Sequence, residues 1–126
     1  MDNKYYYIVE SIMSEEFMKL KLRCPKESEI QLIKKLAENG DKSVDLTNLK
    51  VSEMEDGHMG SLLLFVDGKY IRRESPIYVS ECQFKDVDGV VVIATLYSDV
   101  NGVLSEVDIW KTNFEPLIAL PSSYDV

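Results

Sequence analysis

The stretch Ile77–Trp110, IYVSECQFKDVDGVVVIATLYSDVNGVLSEVDIW, decides the fold that the sequence predicts. It is rich in β-branched and aromatic residues and is interrupted at Asp88-Gly89 and at Asn101-Gly102. Both dipeptides tolerate the positive φ angles that two-residue hairpin turns require. The sequence therefore predicts three antiparallel strands joined by two tight turns.

A turn at Asn101-Gly102 also sets the register of the last two strands. It pairs Val100 with Val103, Leu96 with Val107, and Ala94 with Ile109. One face of the sheet then carries Val92, Ala94, Leu96, Val107 and Ile109. We expect this face to be buried, because an apolar sheet face has to be covered.

The opposite face mixes carboxylates with aromatic rings. It carries Ile93, Thr95, Tyr97, Glu106, Asp108 and Trp110. Two interpretations remain open at this point. The face is either a solvated surface with a few aromatic residues, or a patch that binds another protein through aromatic anchors and charge.

One main helix is predicted at about residues 26–39, directly after Pro25. Its apolar residues form one stripe that would cover the buried face of the sheet, with Leu32 near the edge of the stripe. The stripe consists of Ile30, Ile33, Leu36 and Ala37. Asn39-Gly40 is predicted to end the helix, with Gly40 as a left-handed cap.

Further strands are predicted at residues 4–10, at the end of 44–54, and at 61–66. A turn at Asp67-Gly68 would let residues 69–73 pair back on the last of these. Residues 14–23 fit either a helix start or a short extended segment.

The prolines after Trp110, at positions 116 and 121, exclude long regular structure there. Four apolar residues of that segment are expected to pack against the body: Phe114, Leu117, Ile118 and Leu120. The predicted fold class is α+β, a single domain over residues 1–126. It is an antiparallel β-meander of about five or six strands, with the helix packed on one face.

Charge is distributed unevenly along the 126 residues, whose formal net charge is −8. Residues 1–73 hold 13 acids and 12 bases, whereas residues 74–126 hold 9 acids and only two bases, Lys85 and Lys111. A negative field of this kind repels nucleic acid and membrane surfaces and attracts basic proteins, although it also serves solubility alone.

The sequence favours a cytoplasmic protein. Cys24 and Cys82 form neither a disulfide framework nor a zinc motif. The first residues do not resemble a signal peptide, and no apolar run approaches the roughly 20 residues of a membrane span. We therefore expect no membrane partner and no nucleic-acid partner.

No pattern predicts catalysis, a metal or a cofactor. His58, the only histidine, lies in the loop DGHMGS close to Asp56 and Ser61, but one tight loop seldom gives a catalytic triad its geometry. The segments DVDG and DVNG begin like calcium loops, yet valines follow the first of them where oxygen ligands would be needed. Two alternatives remain: a small enzyme or ligand-binding domain built around the His58 loop, and a general adaptor module.

Three motifs resemble a family of small bacterial domains. The first is MEDGHMGSLLLF at Met54–Phe65, where His58 stands in place of a usual glycine. The second consists of Glu81, Phe84, Asp86, Asp88 and Gly89. The third consists of Asp108, Trp110, Lys111, Phe114, Pro116 and Leu117. The resemblance covers roughly Arg23 to Pro121, and some members are similar to immunity proteins of polymorphic-toxin and contact-dependent growth inhibition systems.

This resemblance implies an immunity protein rather than an enzyme, one that neutralises a cognate toxin domain by covering it with an acidic surface. The toxin would be basic, as a nuclease is around its phosphate substrate. The immunity protein itself would be a monomer or a weak dimer. Tyr78 is a further aromatic anchor beside the candidate contacts. These contacts are Glu81, Asp86, Asp88, Tyr97, Asp99, Glu106 and Asp108.

Overall fold

The structure is a computed structural model that describes residues 21–67, 76–122 and 124. The strand predicted at residues 4–10, most of the segment 14–23 and the returning strand at 69–73 lie outside these residues. Within the described ranges, no helix has the length and apolar character that crossing a membrane takes.

The described chain contains one helix and five strands. These are α1 (Glu27–Asn39), β1 (Lys50–Glu53), β2 (Leu62–Phe65), β3 (Ile77–Lys85), β4 (Val91–Ser98) and β5 (Leu104–Lys111). The strands form one antiparallel sheet in the order β1-β2-β5-β4-β3. The predicted α+β class and the meander of β3, β4 and β5 are confirmed.

Both hairpin loops of the meander contain three residues rather than the predicted two. The N–H of Asp86 donates to the carbonyl of Val90 (2.9 Å), and the N–H of Asp99 donates to the carbonyl of Val103 (2.8 Å). The loops are therefore residues 87–89 and 100–102, and each ends in a glycine whose φ is close to +84°. This is the hairpin in which a type I turn is followed by a left-handed residue, so only the second member of each dipeptide needs positive φ.

The longer loop shifts the pairing of β4 with β5 by one residue, so Val100 does not face Val103. A bulge at Ser105 shifts the pairing back by one residue. The pairs in the middle of the strands are consequently the predicted ones, Leu96–Val107 and Ala94–Ile109.

The predicted core face is confirmed, because each of its five residues is at most 1% exposed. They are Val92, Ala94, Leu96, Val107 and Ile109. Helix α1 lies on this face against β3 and β4. Its buried apolar residues are Leu32, Ile33, Leu36 and Ala37, while Ile30 is only half-buried. Leu32 therefore belongs to the centre of the stripe rather than to its edge.

Gly40 follows the end of α1 for reasons of space and not as a left-handed cap. Its φ is −95°, and the left-handed residue is the next one, Asp41. A β-carbon at position 40 would lie 2.5 Å from Cγ1 of Val79 and 3.3 Å from the carbonyl oxygen of Val79. The helix thus approaches β3 more closely at this point than a residue with a side chain permits.

We expect Gly40→Ala to lower the free energy of unfolding by about 1–3 kcal/mol, because the added methyl group forces the end of α1 away from Val79. Asn39→Ala is the control, since Asn39 is exposed, and it should change stability by about 0.5 kcal/mol or less. Urea denaturation of both variants measures the difference. Equal stability of the two variants would show that the close approach is unimportant.

Candidate functional site

A buried ion pair connects the end of β5 to the first hairpin loop. The ammonium of Lys111 lies 2.8 Å from Oδ2 of Asp86 and 2.7 Å from Oδ2 of Asp88. The side chains of Lys111 and Asp86 are 1% and 0% exposed, whereas Asp88 lies partly in solvent. Hydrogen bonds from this ammonium to Asp86 and Asp88 raise the pKa of Lys111.

Asp86 also holds the C-terminal segment, residues 112–122, against the sheet. Its carboxylate accepts hydrogen bonds from the backbone N–H groups of Ile118 (2.8 Å) and Ala119 (3.2 Å), and from its neighbour Val87. Burial alone would raise the pKa of Asp86, but these N–H groups and the Lys111 ammonium outweigh it and lower the pKa to about 2. Asp86 therefore remains ionised inside the protein.

Two of the predicted contact residues are consequently not on the surface. Asp86 is buried in the ion pair, and Asp99 is buried beneath the second loop. The carboxylate of Asp99 accepts hydrogen bonds from the N–H groups of Asn101 (2.8 Å) and Val103 (2.9 Å). Asp99 thereby closes its hairpin loop, because the short carboxylate of Asp reaches nearby backbone N–H groups. Asp86 is occupied by Lys111 and by the backbone of the C-terminal segment. Neither is available to a partner in this conformation.

The structure does bring the other predicted residues together on one side of the sheet, opposite the helix. We call this side of β3, β4 and β5 the outer face. The strand register arranges its residues in three rows, which are Tyr78–Tyr97–Glu106, Glu81–Thr95–Asp108 and Gln83–Ile93–Trp110. Three carboxylates and two tyrosines thus share two adjacent rows. Asp88, the remaining candidate, lies in the loop beyond this face.

The pKa of Tyr97 shows how closely the charges gather around it. Burial raises this pKa, and the nearby carboxylates of Asp108, Glu106 and Glu81 raise it further, because they oppose a second negative charge. The hydroxyl of Tyr78 lies 3.4 Å from Oε1 of Glu81. Tyr97, in the first of the three rows, is therefore a phenol close to three carboxylates.

An aromatic pair borders the third row. The rings of Trp110 and Phe114 lie 5.6 Å apart, and the two residues are 46% and 71% exposed. Phe114 also has a φ of +65°, which is rare for a bulky residue. The prediction that Phe114 and Ile118 pack against the body is wrong, whereas Leu117 and Leu120 do pack against the core.

Hydrogen bonds to the side chain of Asp56 and to the C-terminal segment fix the shape of the His58 loop. Oδ1 and Oδ2 of Asp56 accept hydrogen bonds from the N–H groups of Met59 and Ser61, and the carbonyl of His58 accepts one from Leu117. His58 has a φ of +63°. This left-handed conformation favours glycine, and histidine is one of the residues that tolerate it.

Ser61 cannot act as a nucleophile where it lies. It is 1% exposed, and its hydroxyl accepts a 2.8 Å hydrogen bond from the N–H of Ile109 on β5. An enzyme built around the His58 loop would therefore lack Ser61 as its nucleophile. Among the residues that the structure describes, no three His, Cys, Asp or Glu side chains converge as metal ligands would.

A pocket of about 200 Å³ lies beside His58. Its polar wall contains Arg23, which pairs with Glu29 through two 2.8 Å contacts and with Glu53 at 3.2 Å. Its apolar wall includes Leu117 and Leu120 of the C-terminal segment, together with Leu62. The volume is below the roughly 300 Å³ at which pockets for drug-sized ligands begin, so it suits only a smaller molecule or a fragment.

Sequence reasoning missed the roles of Lys111, Arg23 and Glu29. The sequence did mark Lys111, because it is one of only two bases in the acidic half of the chain. It also follows Val107 and Ile109 at the next position of the same strand face, where an apolar residue would be expected. No comparable signal marks Arg23, which meets Glu29 only because the chain turns into α1 between them.

These features define an α+β domain in which a helix covers one face of a five-stranded antiparallel sheet and an acidic, aromatic face lies opposite. The chain belongs to the family described as Domain of unknown function (DUF6984), whose model matches residues 22–121. Comparison with curated proteins and with solved structures gave no match. The family description states no activity, so the resemblance to immunity proteins stays a prediction.

We expect Lys111→Met to lower the free energy of unfolding by about 3–5 kcal/mol, because it leaves the Asp86 carboxylate buried without a cation. Lys85→Met is the control, since Lys85 is exposed at the end of β3, and should cost about 0.5 kcal/mol or less. Urea denaturation measures both. A loss in Lys111→Met no greater than that of the control would mean that the ion pair does not hold the fold together.

Proposed function

We propose that this protein is a cytoplasmic immunity protein that binds a cognate bacterial toxin domain and blocks it with the outer face. The observation that carries the proposal is the grouping of Glu81, Glu106 and Asp108 around Tyr97 on that face. The resemblance to immunity proteins supports the same function.

Charge favours a basic partner. The residues of the outer face in the three rows include three acids and no base. A toxin that cuts nucleic acid needs a positive cleft for its phosphate substrate, and such a cleft is attracted to this potential. Occupation of the cleft by the outer face would exclude the substrate, so no catalytic group is required of the immunity protein.

Exposed aromatic residues favour a protein partner over a merely solvated face. Interfaces draw most of their affinity from a few buried side chains, among which Trp and Tyr are enriched. Tyr78 and Trp110 are exposed on the outer face, Phe114 extends it, and Tyr97 is half-buried there. Aromatic anchors beside carboxylates also suit the arginine and lysine side chains of a basic surface, since these cations bind both groups.

The test is a binding measurement between this protein and the toxin domain encoded beside its gene. We expect Asp108→Lys to weaken binding by about tenfold or more and to reduce its dependence on salt, because it places a cation against a basic surface. Asp108 is exposed, but its Oδ1 accepts a 3.3 Å hydrogen bond from the hydroxyl of Ser61, so far-UV circular dichroism has to show that the variant folds.

Glu38→Lys is the matched control, because it makes the same change of charge on an exposed position of α1, on the other side of the sheet. It should leave the affinity nearly unchanged. If no complex forms, or if the two variants bind equally well, the outer face is not the toxin-binding surface.

The pocket beside His58 supports a second candidate function, the binding of a small molecule. It combines a charged wall at Arg23 with an apolar wall at Leu117 and Leu120, so it offers a small ligand both polar and apolar contacts. This function would need no nucleophile and is compatible with the buried position of Ser61.

A screen of small organic fragments by ligand-observed NMR tests this candidate. We expect fragments that bind the wild type to lose binding in Leu117→Trp, whose larger side chain would fill the pocket, and to keep it in Trp110→Leu on the outer face. The absence of any binding fragment, or binding that Leu117→Trp leaves intact, would remove the pocket as a functional site.

A further inference from the structure

Strand β3 forms one edge of the sheet in the described part of the chain. It pairs with β4 on one side, and no described strand lies on its other side. At nine residues, Ile77–Lys85 is the longest strand present there. A long edge of this kind presents a row of backbone N–H and C=O groups to which another strand can bind.

The hydrogen bonds identify which residues direct these groups outward. The N–H of Asp86 bonds to Val90 on the β4 side. Because the direction alternates along an antiparallel strand, Phe84 and Cys82 also face β4, while Lys85, Gln83 and Glu81 face outward.

The hydrogen bonds of Val91 confirm this alternation of directions. It lies opposite Lys85, but its carbonyl accepts hydrogen bonds from Thr112, on the side away from β3. In the described chain, no backbone partner is present for Glu81, Gln83 or Lys85 on the outward side.

The sequence of this edge is complementary to itself. In an antiparallel pair with a two-fold axis at Gln83, Gln83 faces its own copy, and Glu81 of each chain faces Lys85 of the other. All three are outward-facing residues, so their backbone groups can exchange two hydrogen bonds at each of the three facing pairs. Opposite charges at both Glu81–Lys85 positions stabilise this register.

The other side of the same edge also suits this register. Cys82 and Phe84 are half-buried on the core side, and the two-fold pairing places Cys82 of one copy opposite Phe84 of the other. The contact would cover the part of these apolar side chains that still meets solvent.

We propose that two copies of this chain associate through β3, with Gln83 on the two-fold axis, and join their described five-stranded sheets into one continuous sheet. The interface fits a second copy because one register of the same short segment gives the Glu81–Lys85 pairs, the Cys82–Phe84 pairs and matching outward-facing backbone groups. It is small, so the dimer is weak and forms at high micromolar to millimolar concentration. The inference is independent of the proposed function, since it concerns the protein without a toxin.

Sedimentation equilibrium of the full chain up to about 1 mM tests the proposal. We expect the wild type to dimerise, and Glu81→Lys and Lys85→Glu each to lower the association constant by about ten- to thirtyfold, because each sets like charges opposite one another twice. The double variant Glu81→Lys/Lys85→Glu restores opposite charges and should return the constant to near the wild-type value.

Gln83→Pro tests the backbone pairing separately. Its missing N–H points outward, so β3 stays bonded to β4 while the central hydrogen bonds of the dimer are lost. Far-UV circular dichroism checks the fold, and Gln83→Ala, which keeps the N–H, is the control. We expect Gln83→Pro to be monomeric and Gln83→Ala to dimerise like the wild type.

Three outcomes would overturn the proposal. They are a wild type that stays monomeric at about 1 mM, a dimer that the single charge reversals leave unchanged, and a double variant that does not recover. Because neither Glu81 nor Lys85 is varied in the toxin-binding test, failure of the dimer and failure of the toxin complex can be distinguished.

Discussion

The buried pair of Lys111 and Asp86 is the interaction on which the rest of the structure depends. A buried ammonium is stable only beside a negative partner, and a buried carboxylate only with hydrogen-bond donors around it. The two groups therefore fix the positions of the segments that supply these partners. Here those segments are the end of β5, the loop between β3 and β4, and the C-terminal segment at Ile118 and Ala119. The C-terminal segment in turn forms the apolar wall of the pocket beside His58.

This pair also reduces the negative charge that the acidic half of the chain presents to solvent. The acidic half of the sequence predicts a strongly negative ribbon, but part of its charge is used internally. Lys111 neutralises Asp86 and lies against Asp88, and Asp99 closes a hairpin loop. Of the candidate acids, Glu81, Glu106 and Asp108 lie on the outer face near Tyr97. The proposed interaction surface is therefore narrower than the sequence implied and is defined as much by aromatic residues as by charge.

The three sequence motifs of this chain are explained largely by backbone geometry. Asp56 and His58 belong to a loop in which Gly57, His58 and Gly60 all have positive φ. A β-carbon at Gly60 would already lie 3.3 Å from Leu117, so the loop is packed tightly against the C-terminal segment. The third motif supplies Lys111. These residues build the domain, and the proposed binding surface also uses residues outside the motifs, such as Tyr78 and Tyr97.

Local patterns were sufficient to predict the helix near residues 26–39, the three strands of the meander and the buried face with Leu96 and Val107, because periodicity and turn residues act over a few neighbouring positions. The length of the loops and the bulge at Ser105 were not predictable, and the mid-strand register came out correctly because these two errors cancel. The tertiary structure alone decided which acids are exposed. Asp86 and Glu81 look alike in the sequence, but only Asp86 lies within reach of Lys111, which is 25 residues away along the chain.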